Sequence, residues 1–176
     1  MPAVGLIRGI NVGGASRVAK ADLAAAFEAA GFREVVTLLQ SGNVVFAADA
    51  APTAEDARSV TAELHRRSGV DAGVVLLPEA EFRRVAAANP LSGDDDARLV
   101  VTFLDHDLPA DVVAPDAESI APEELRLGER AVYQWCPLGV SKSRVKPAFW
   151  RSLGPVATTR NQRTVDRILA ELDRRA

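Results

Sequence analysis

Apolar positions along the chain follow two rhythms. Short runs rich in valine, isoleucine and leucine alternate with stretches where apolar residues recur every three to four positions, the patterns of strand and helix. Residues 4–8 form the first run and lead directly into Arg8-Gly9-Ile10-Asn11-Val12-Gly13-Gly14, a glycine-rich polar loop. Residues 22–30 place Leu23, Ala26, Phe27 and Ala30 at helical spacing, with Asp22 to cap and Gly31 to stop. Residues 35–39 and 44–48 are β-branched runs separated by Gln40-Ser41-Gly42-Asn43, which reads as a hairpin turn. Thr53 and Asp56 make a capping box for a second helix, whose buried stripe holds Val60 and Leu64 and which Gly69 closes. Residues 72–77 supply another strand. Strand, helix, strand, strand, helix, strand predicts a ferredoxin-like (βαββαβ) subdomain over residues 1–78, its antiparallel sheet covered on one face by two helices.

Residues 79–98 read as a connecting helix with Phe82, Val85 and Ala86 inward, stopped by Asn89-Pro90, and then an acidic loop, Gly93-Asp94-Asp95-Asp96. Consecutive aspartates point in different directions and lack the spacing of a calcium loop, so no metal is expected there. Residues 99–176 predict a second, smaller α+β subdomain: a strand over 99–104, a proline-rich acidic stretch, a hairpin of 124–127 with 131–136 around Gly128, a helix over 146–153 and a C-terminal helix. In that last helix Val165, Ile168, Leu169 and Leu172 form an apolar stripe whose burial contributes about 6 to 12 kcal/mol before entropy is subtracted. Arg160, Arg163, Arg167 and Arg174 fall within about 60° on the other side, with Arg163 beside Asp166 and Arg167 beside Glu171 as expected surface pairs. The fold class is therefore α+β.

Composition narrows the setting. A chain of 176 residues with 48% hydrophobic and 26% charged residues suits a globular fold, and no apolar run is long enough to span a bilayer. The start lacks the basic, apolar and cleavage regions of a signal peptide, so a cytoplasmic location and no membrane partner are expected. One cysteine and two histidines offer neither an intramolecular disulfide nor a zinc set, and no cofactor is expected. Charge is unevenly spread: from Lys142 onward nine basic residues face three acidic ones, +6, leaving −9 for the preceding 141 residues under the total of −3. A basic segment on an acidic body suggests a local anion site or docking face.

Three polar stretches could hold such an anion. Strand-end glycines let backbone approach a ligand closely, which singles out Arg8, Asn11, Gly13 and Gly14. Lys142, Ser143 and Arg144 form the second stretch. Thr158, Thr159, Arg160 and Asn161, read as the start of the last helix, form the third; a cation in a first helical turn is unfavourable unless an acid or bound anion lies nearby, although a Thr159–Gln162 capping box would use some of the same groups. With Gln40, Ser41 and Asn43 on the rim, these residues predict a small phosphate- or carboxylate-bearing ligand in a cleft between the subdomains. Two alternatives stand beside it: an RNA-binding module, disfavoured by 5% aromatics and an acidic body, and a structural or assembly role in which the motifs lock turns. No catalytic set emerges: His106 in Asp105-His106-Asp107 reads as an exposed loop residue, Cys136 as a buried small hydrophobe, and Ser41 lacks a partnered histidine. Whether the chain is an enzyme, and its oligomeric state, stay open.

Arg8-Gly-Ile-Asn-Val-Gly-Gly14, Gln40-Ser-Gly-Asn-Val-Val-Phe46, Asn89-Pro90, Val101-Thr-Phe-Leu104 and Thr158-Thr-Arg-Asn161 followed by Thr164 occur in this order. Across essentially the whole chain they resemble the family called domain of unknown function 1697, a group of uncharacterised bacterial proteins. The resemblance implies a two-part α+β fold with a ferredoxin-like N-terminal half and no known activity. Similar sequences often have lysine after the glycine loop, where this chain has Ala15, so the near match to a phosphate-binding P-loop lacks its charge. Where they tend to read arginine-serine-lysine, this chain has Lys142-Ser143-Arg144, which moves the bidentate group. Gln162 stands where tryptophan is frequent.

Overall fold

The computed structural model describes residues 1–11 and 16–175, and these fall into two units: residues 1–83 with 167–176, and residues 84–166. Unit 1 opens with β1 (Pro2–Arg8) and continues through α1 (Lys20–Ala29), β2 (Arg33–Leu38), β3 (Asn43–Ala47), α2 (Ala54–Ser68) and β4 (Gly73–Pro78) into α3 (Glu79–Ala87). Its sheet has the order β2-β3-β1-β4 with every pair antiparallel, the ferredoxin-like arrangement expected from the element order. The hairpin forms as read, Val36 opposite Val45 and Leu38 opposite Asn43.

Local chemistry explains the elements. Thr53 and Asp56 complete the capping box of α2, and Gly69, at φ +69°, ends the helix by donating its N–H to His65. Leu23, Ala26 and Phe27 of α1 are buried against Ile7, Val44, Phe46, Val74 and Leu76 on one sheet face. Phe46 is the centre of that packing, its ring centroid 4.3 Å from Phe32 and 5.2 Å from Phe27. Gly5 makes room for it: a Cβ there would lie 2.5 Å from the Phe27 ring.

The other face of the sheet is covered as well. Val4, Leu6, Val45 and Val75 are fully buried and Leu77 is 1% exposed, while α1 and α2 cover the first face as expected. The physical reason lies in Val44-Val45-Phe46 and Val74-Val75-Leu76-Leu77: unbroken apolar runs, rather than alternation, belong to strands with both faces dry.

Unit 2 carries β5 (Leu99–Leu104), α4 (Ala117–Ile120), β6 (Glu124–Leu127), β7 (Ala131–Trp135), a 3₁₀ turn (Val140–Lys142), α5 (Pro147–Ser152) and β8 (Ala157–Asn161), and it runs into α6 (Gln162–Asp173), whose second half belongs to unit 1. Its sheet order is β6-β7-β5-β8, again wholly antiparallel. Strand for strand this is the order of the first sheet, so the second α+β unit repeats the first topology with shorter helices in its two crossovers. Leu104, Leu125 and Val132 pack on Ile120, Phe149 and Leu153 from one face, while Val101, Phe103 and Tyr133 are buried on the other.

The start of the last helix differs from the sequence reading. Residues 158–161 lie on β8, Val101 opposite Arg160 and Thr102 opposite Thr159, and the helix begins at Gln162. β-Branched threonines favour a pleated strand, and Thr158 and Arg160 point inward while Thr159 points out. Asn161 is the cap, its Oδ1 accepting from the Thr164 N–H at 3.0 Å and the Thr164 hydroxyl at 2.8 Å. Val165, Ile168 and Leu172 are buried as expected; Leu169 is half-buried.

Candidate functional site

In unit 1 the described start of the glycine-rich stretch, through Asn11, is stitched to the hairpin turn. Asn11, at φ +56°, folds its amide back on the chain: its Nδ2 donates to the carbonyl of Gln40 at 2.6 Å and of Val18 at 3.2 Å, and its Oδ1 accepts from the Val18 N–H. The Ile7 N–H reaches the Gly42 carbonyl at 2.8 Å. Gly42 suits this approach, with φ +73° and a hypothetical Cβ only 2.9 Å from the Ile7 Cβ. Asn43, fully buried, donates to the Leu38 carbonyl and the Ser41 hydroxyl. Two motifs far apart in sequence thus share one end of the sheet. Asn11 and Asn43 spend their polar groups on backbone and turn, whereas Arg8, Gln40 and Ser41 are exposed there. Gly13 and Gly14 lie outside the described residues.

In unit 2 Arg160 is 8% exposed and donates to the Thr158 hydroxyl at 2.7 Å and the Thr159 carbonyl at 2.9 Å. Burial pushes its pKa down to about 10 because the charged form loses solvation. It stands on a strand, so the helix-dipole reason for expecting an anion beside it does not hold. Thr159 meets the Thr102 hydroxyl at 2.7 Å. The helix pairs also differ from expectation: Arg163 joins Asp95 at 2.9 Å rather than Asp166, which accepts from Gln162, and Glu171 is held by Arg174 and Arg175 rather than Arg167. Each arginine takes the carboxylate its reach allows, whether or not it lies one helical turn away. His106 is half-buried, its Nδ1 hydrogen-bonded to the Asp105 carboxylate and its ring against Gly154. Past the strand end the chain bends, so the two neighbours meet instead of pointing apart.

Lys142, Ser143 and Arg144 lie on and just after the 3₁₀ turn, where a buried carboxylate organises them. Glu123 is 6% exposed and accepts from Gln134 Nε2 at 2.6 Å, from the Ser143 hydroxyl at 2.8 Å and from the Arg144 N–H. Gln134 also donates to Ser143 at 3.0 Å. Cys136 Sγ lies 4.0 Å from the same carboxylate, and burial, then the Glu123 charge, pushes its thiol up to about 12. These contacts fix the backbone of Arg144, and its guanidinium donates to the Ala121 carbonyl. Sequence reasoning missed Glu123; its one trace there was Gln134, a polar residue at a buried position of an otherwise apolar strand.

Arg144 faces a cavity of about 460 Å³ together with Lys146, Asp116, Ile120, Phe149 and Val113. The Arg144 guanidinium has committed one hydrogen bond to protein and retains donors in a planar fork suited to an oxyanion. The Lys146 ammonium has no partner among the described residues. Asp116 uses one oxygen to cap α4, accepting from the Ser119 N–H at 3.0 Å. Two available cations, one carboxylate and an apolar wall make this cavity chemically suited to a small organic anion.

A family model described as a protein of unknown function, DUF1697, matches residues 1–133. The solved structure of a conserved bacterial protein, SP0830 from Streptococcus pneumoniae, is similar with a TM-score of 0.72 and 25% identity, over 95% of this chain and 96% of that one. No curated protein matches the chain. No helix of the described residues is long and apolar enough to cross a membrane.

Proposed function

Because the chain belongs to the DUF1697 family, whose description names no activity, we propose its function from the geometry alone: it binds a small phosphate- or carboxylate-bearing ligand. The observation that carries this reading is the unit 2 cavity, where Arg144, its backbone held by Glu123, and Lys146, without a partner among the described residues, line one concave surface. Cations next to one another are mutually unfavourable until an anion joins them, and that anion gains charge-assisted hydrogen bonds. Arg8, with Gln40 and Ser41 beside it, offers similar chemistry at the sheet end of unit 1 and is the second candidate within this reading. The hydrogen bonds of Asn11, Asn43, Thr159 and Asn161 support structural roles for those side chains.

RNA recognition through a sheet face draws no support from the packing, since both faces of each sheet carry buried strand residues and Phe27, Phe32 and Phe46 pack on one another where such a surface needs exposed rings. The test is thermal stability measured across a series of inorganic phosphate and acetate concentrations at constant ionic strength. Binding raises the melting temperature with ligand concentration, and the double variant Arg144→Ala, Lys146→Ala abolishes that rise. A rise that survives the double variant and disappears in Arg8→Ala moves the site to unit 1. No rise with either anion removes the reading.

A further inference from the structure

The unit 2 cavity is built for more than a bare oxyanion. Its volume of about 460 Å³ is large enough to seat a whole organic ligand in a partly open hollow, and the two cations occupy only part of its lining. Ile120 and Phe149 are 3% and 9% exposed and belong to the core of the unit, so their side of the cavity is a preformed apolar wall. The Phe149 ring is held edge-on by Trp150, with centroids 5.1 Å apart and planes at 73°. On the rim Val113 is 80% exposed; an apolar side chain at the mouth of an apolar-walled cavity gains from being covered. Asp116 has committed one carboxylate oxygen to the α4 cap, and the other is an acceptor that repels an anion and welcomes a donor.

From this arrangement we propose, resting on the anion-binding reading above, that the ligand is an organic anion of a specific kind. It is a phosphate monoester or carboxylate carried on a ring-sized apolar body, with a hydroxyl or amine donor on that body. The anionic group meets Arg144 and Lys146, the ring lies along Phe149 and Ile120 under Val113, and the donor is directed to Asp116. The carboxylate at one side and the cations at the other give the ligand a single orientation. Inorganic phosphate satisfies the cations alone and leaves the apolar wall wet.

Isothermal titration of the full chain with phenyl phosphate and with inorganic phosphate, at matched ionic strength, separates the possibilities. Phenyl phosphate is expected to bind about 10- to 100-fold more tightly, the range set by burying one aromatic ring. Ala148 is exposed on α5 and lines the cavity, so Ala148→Trp fills the space beside the wall and removes the phenyl advantage while phosphate binding persists. Val113→Ser, at a position too exposed to carry the fold, reduces the same advantage several-fold and keeps the test valid if the tryptophan variant does not fold. Equal affinities for the two probes overturn this inference and leave the anion site standing. A phenyl advantage untouched by both cavity variants also overturns it, by placing the ring elsewhere. Failure of both probes to bind overturns the anion reading itself, and binding indifferent to Arg144→Ala and Lys146→Ala overturns its placement in unit 2 and this inference with it.

Discussion

Removing the Glu123 carboxylate tests whether it is the keystone of the unit 2 site. In Glu123→Ala four donors lose this acceptor: Gln134 Nε2, the Ser143 hydroxyl, the Arg144 N–H and, more weakly, the Cys136 thiol. Each buried donor left unmatched costs about 1–3 kcal/mol. Ser143 is half-buried and Arg144 exposed, so water recovers part of that loss, and the variant also sheds the cost of keeping a carboxylate at 6% exposure. The balance is a destabilisation of about 2–4 kcal/mol, or a fall in melting temperature of roughly 4–16 °C for a chain of this size. Urea unfolding followed by tryptophan fluorescence reads it directly, since Trp135 and Trp150 both lie in unit 2. Ser143→Ala removes one of those donors and, with the same hydroxyl, a second acceptor of Gln134 Nε2 and a long contact from the Val145 N–H, and costs about 1–2 kcal/mol on the same scale. If Glu123→Ala loses no more than Ser143→Ala, the carboxylate is not what holds this segment, and the account of how Arg144 is positioned fails. Weaker phosphate binding by Glu123→Ala under conditions where it remains folded is the matching functional readout.

Gly42→Ala places a Cβ 2.9 Å from that of Ile7 at φ +73°, so a loss of about 1–3 kcal/mol is expected in urea unfolding, whereas Gly31→Ala, with open space around it, meets only the backbone part of that cost. The Cys136 thiol, buried and pushed up to about 12, stays unreactive toward Ellman's reagent at pH 8 in the folded chain and reacts fully in denaturant; rapid native labelling would contradict its placement. Glu171, held below the usual carboxylate range chiefly by its hydrogen bond from Arg174, ionises at lower pH folded than unfolded. The unfolded chain therefore binds more protons on acidification, so this stability is complete above the unfolded pKa and drains as pH falls through the folded one. Glu171→Gln should flatten the fall of stability with acidification below about pH 5, where the unfolded carboxylate begins to take up its proton, and an unchanged slope counts against the pairing.

The N-terminal fold was legible because its signals are local: the Thr53–Asp56 box, the Gln40-Ser41-Gly42-Asn43 turn and the helical spacing of Leu23, Ala26 and Phe27 each act within a few residues. The strand runs also carried a signal that was under-read, for Val74-Val75-Leu76-Leu77 has no polar face to give to water. Arg160 was misplaced because the periodicity of Val165, Ile168 and Leu172 was extended back through Asn161, where the helix has not begun. Glu123 could not be found this way: its partners are 11, 20 and 21 residues further along and meet only once the second sheet has formed. Lys146 was seen only as part of a basic segment, since which cation lacks an acid is a property of tertiary structure.

Unit 1 is discontinuous: residues 1–83 are completed by residues 167–176, through the Arg83–Asp173 ion pair at 2.7 Å and the Arg175 guanidinium on the Glu34 carbonyl at 2.8 Å. That second bond shields β2, an outer strand that has one neighbour in its sheet and whose pairing register breaks between Arg33 and Val36. On a ribosome adding about 5–20 residues per second, roughly 4 to 17 s separate synthesis of Arg83 from that of Arg167. During that interval the outer edge of β2 offers backbone donors and acceptors to any other strand nearby. The bend at Glu34, where φ is +51°, is local to residues already made and interrupts that edge from the start. The arginine that binds the Glu34 carbonyl is made last, so until then the bend is the only one of these two interruptions of the edge that residues 1–83 carry themselves.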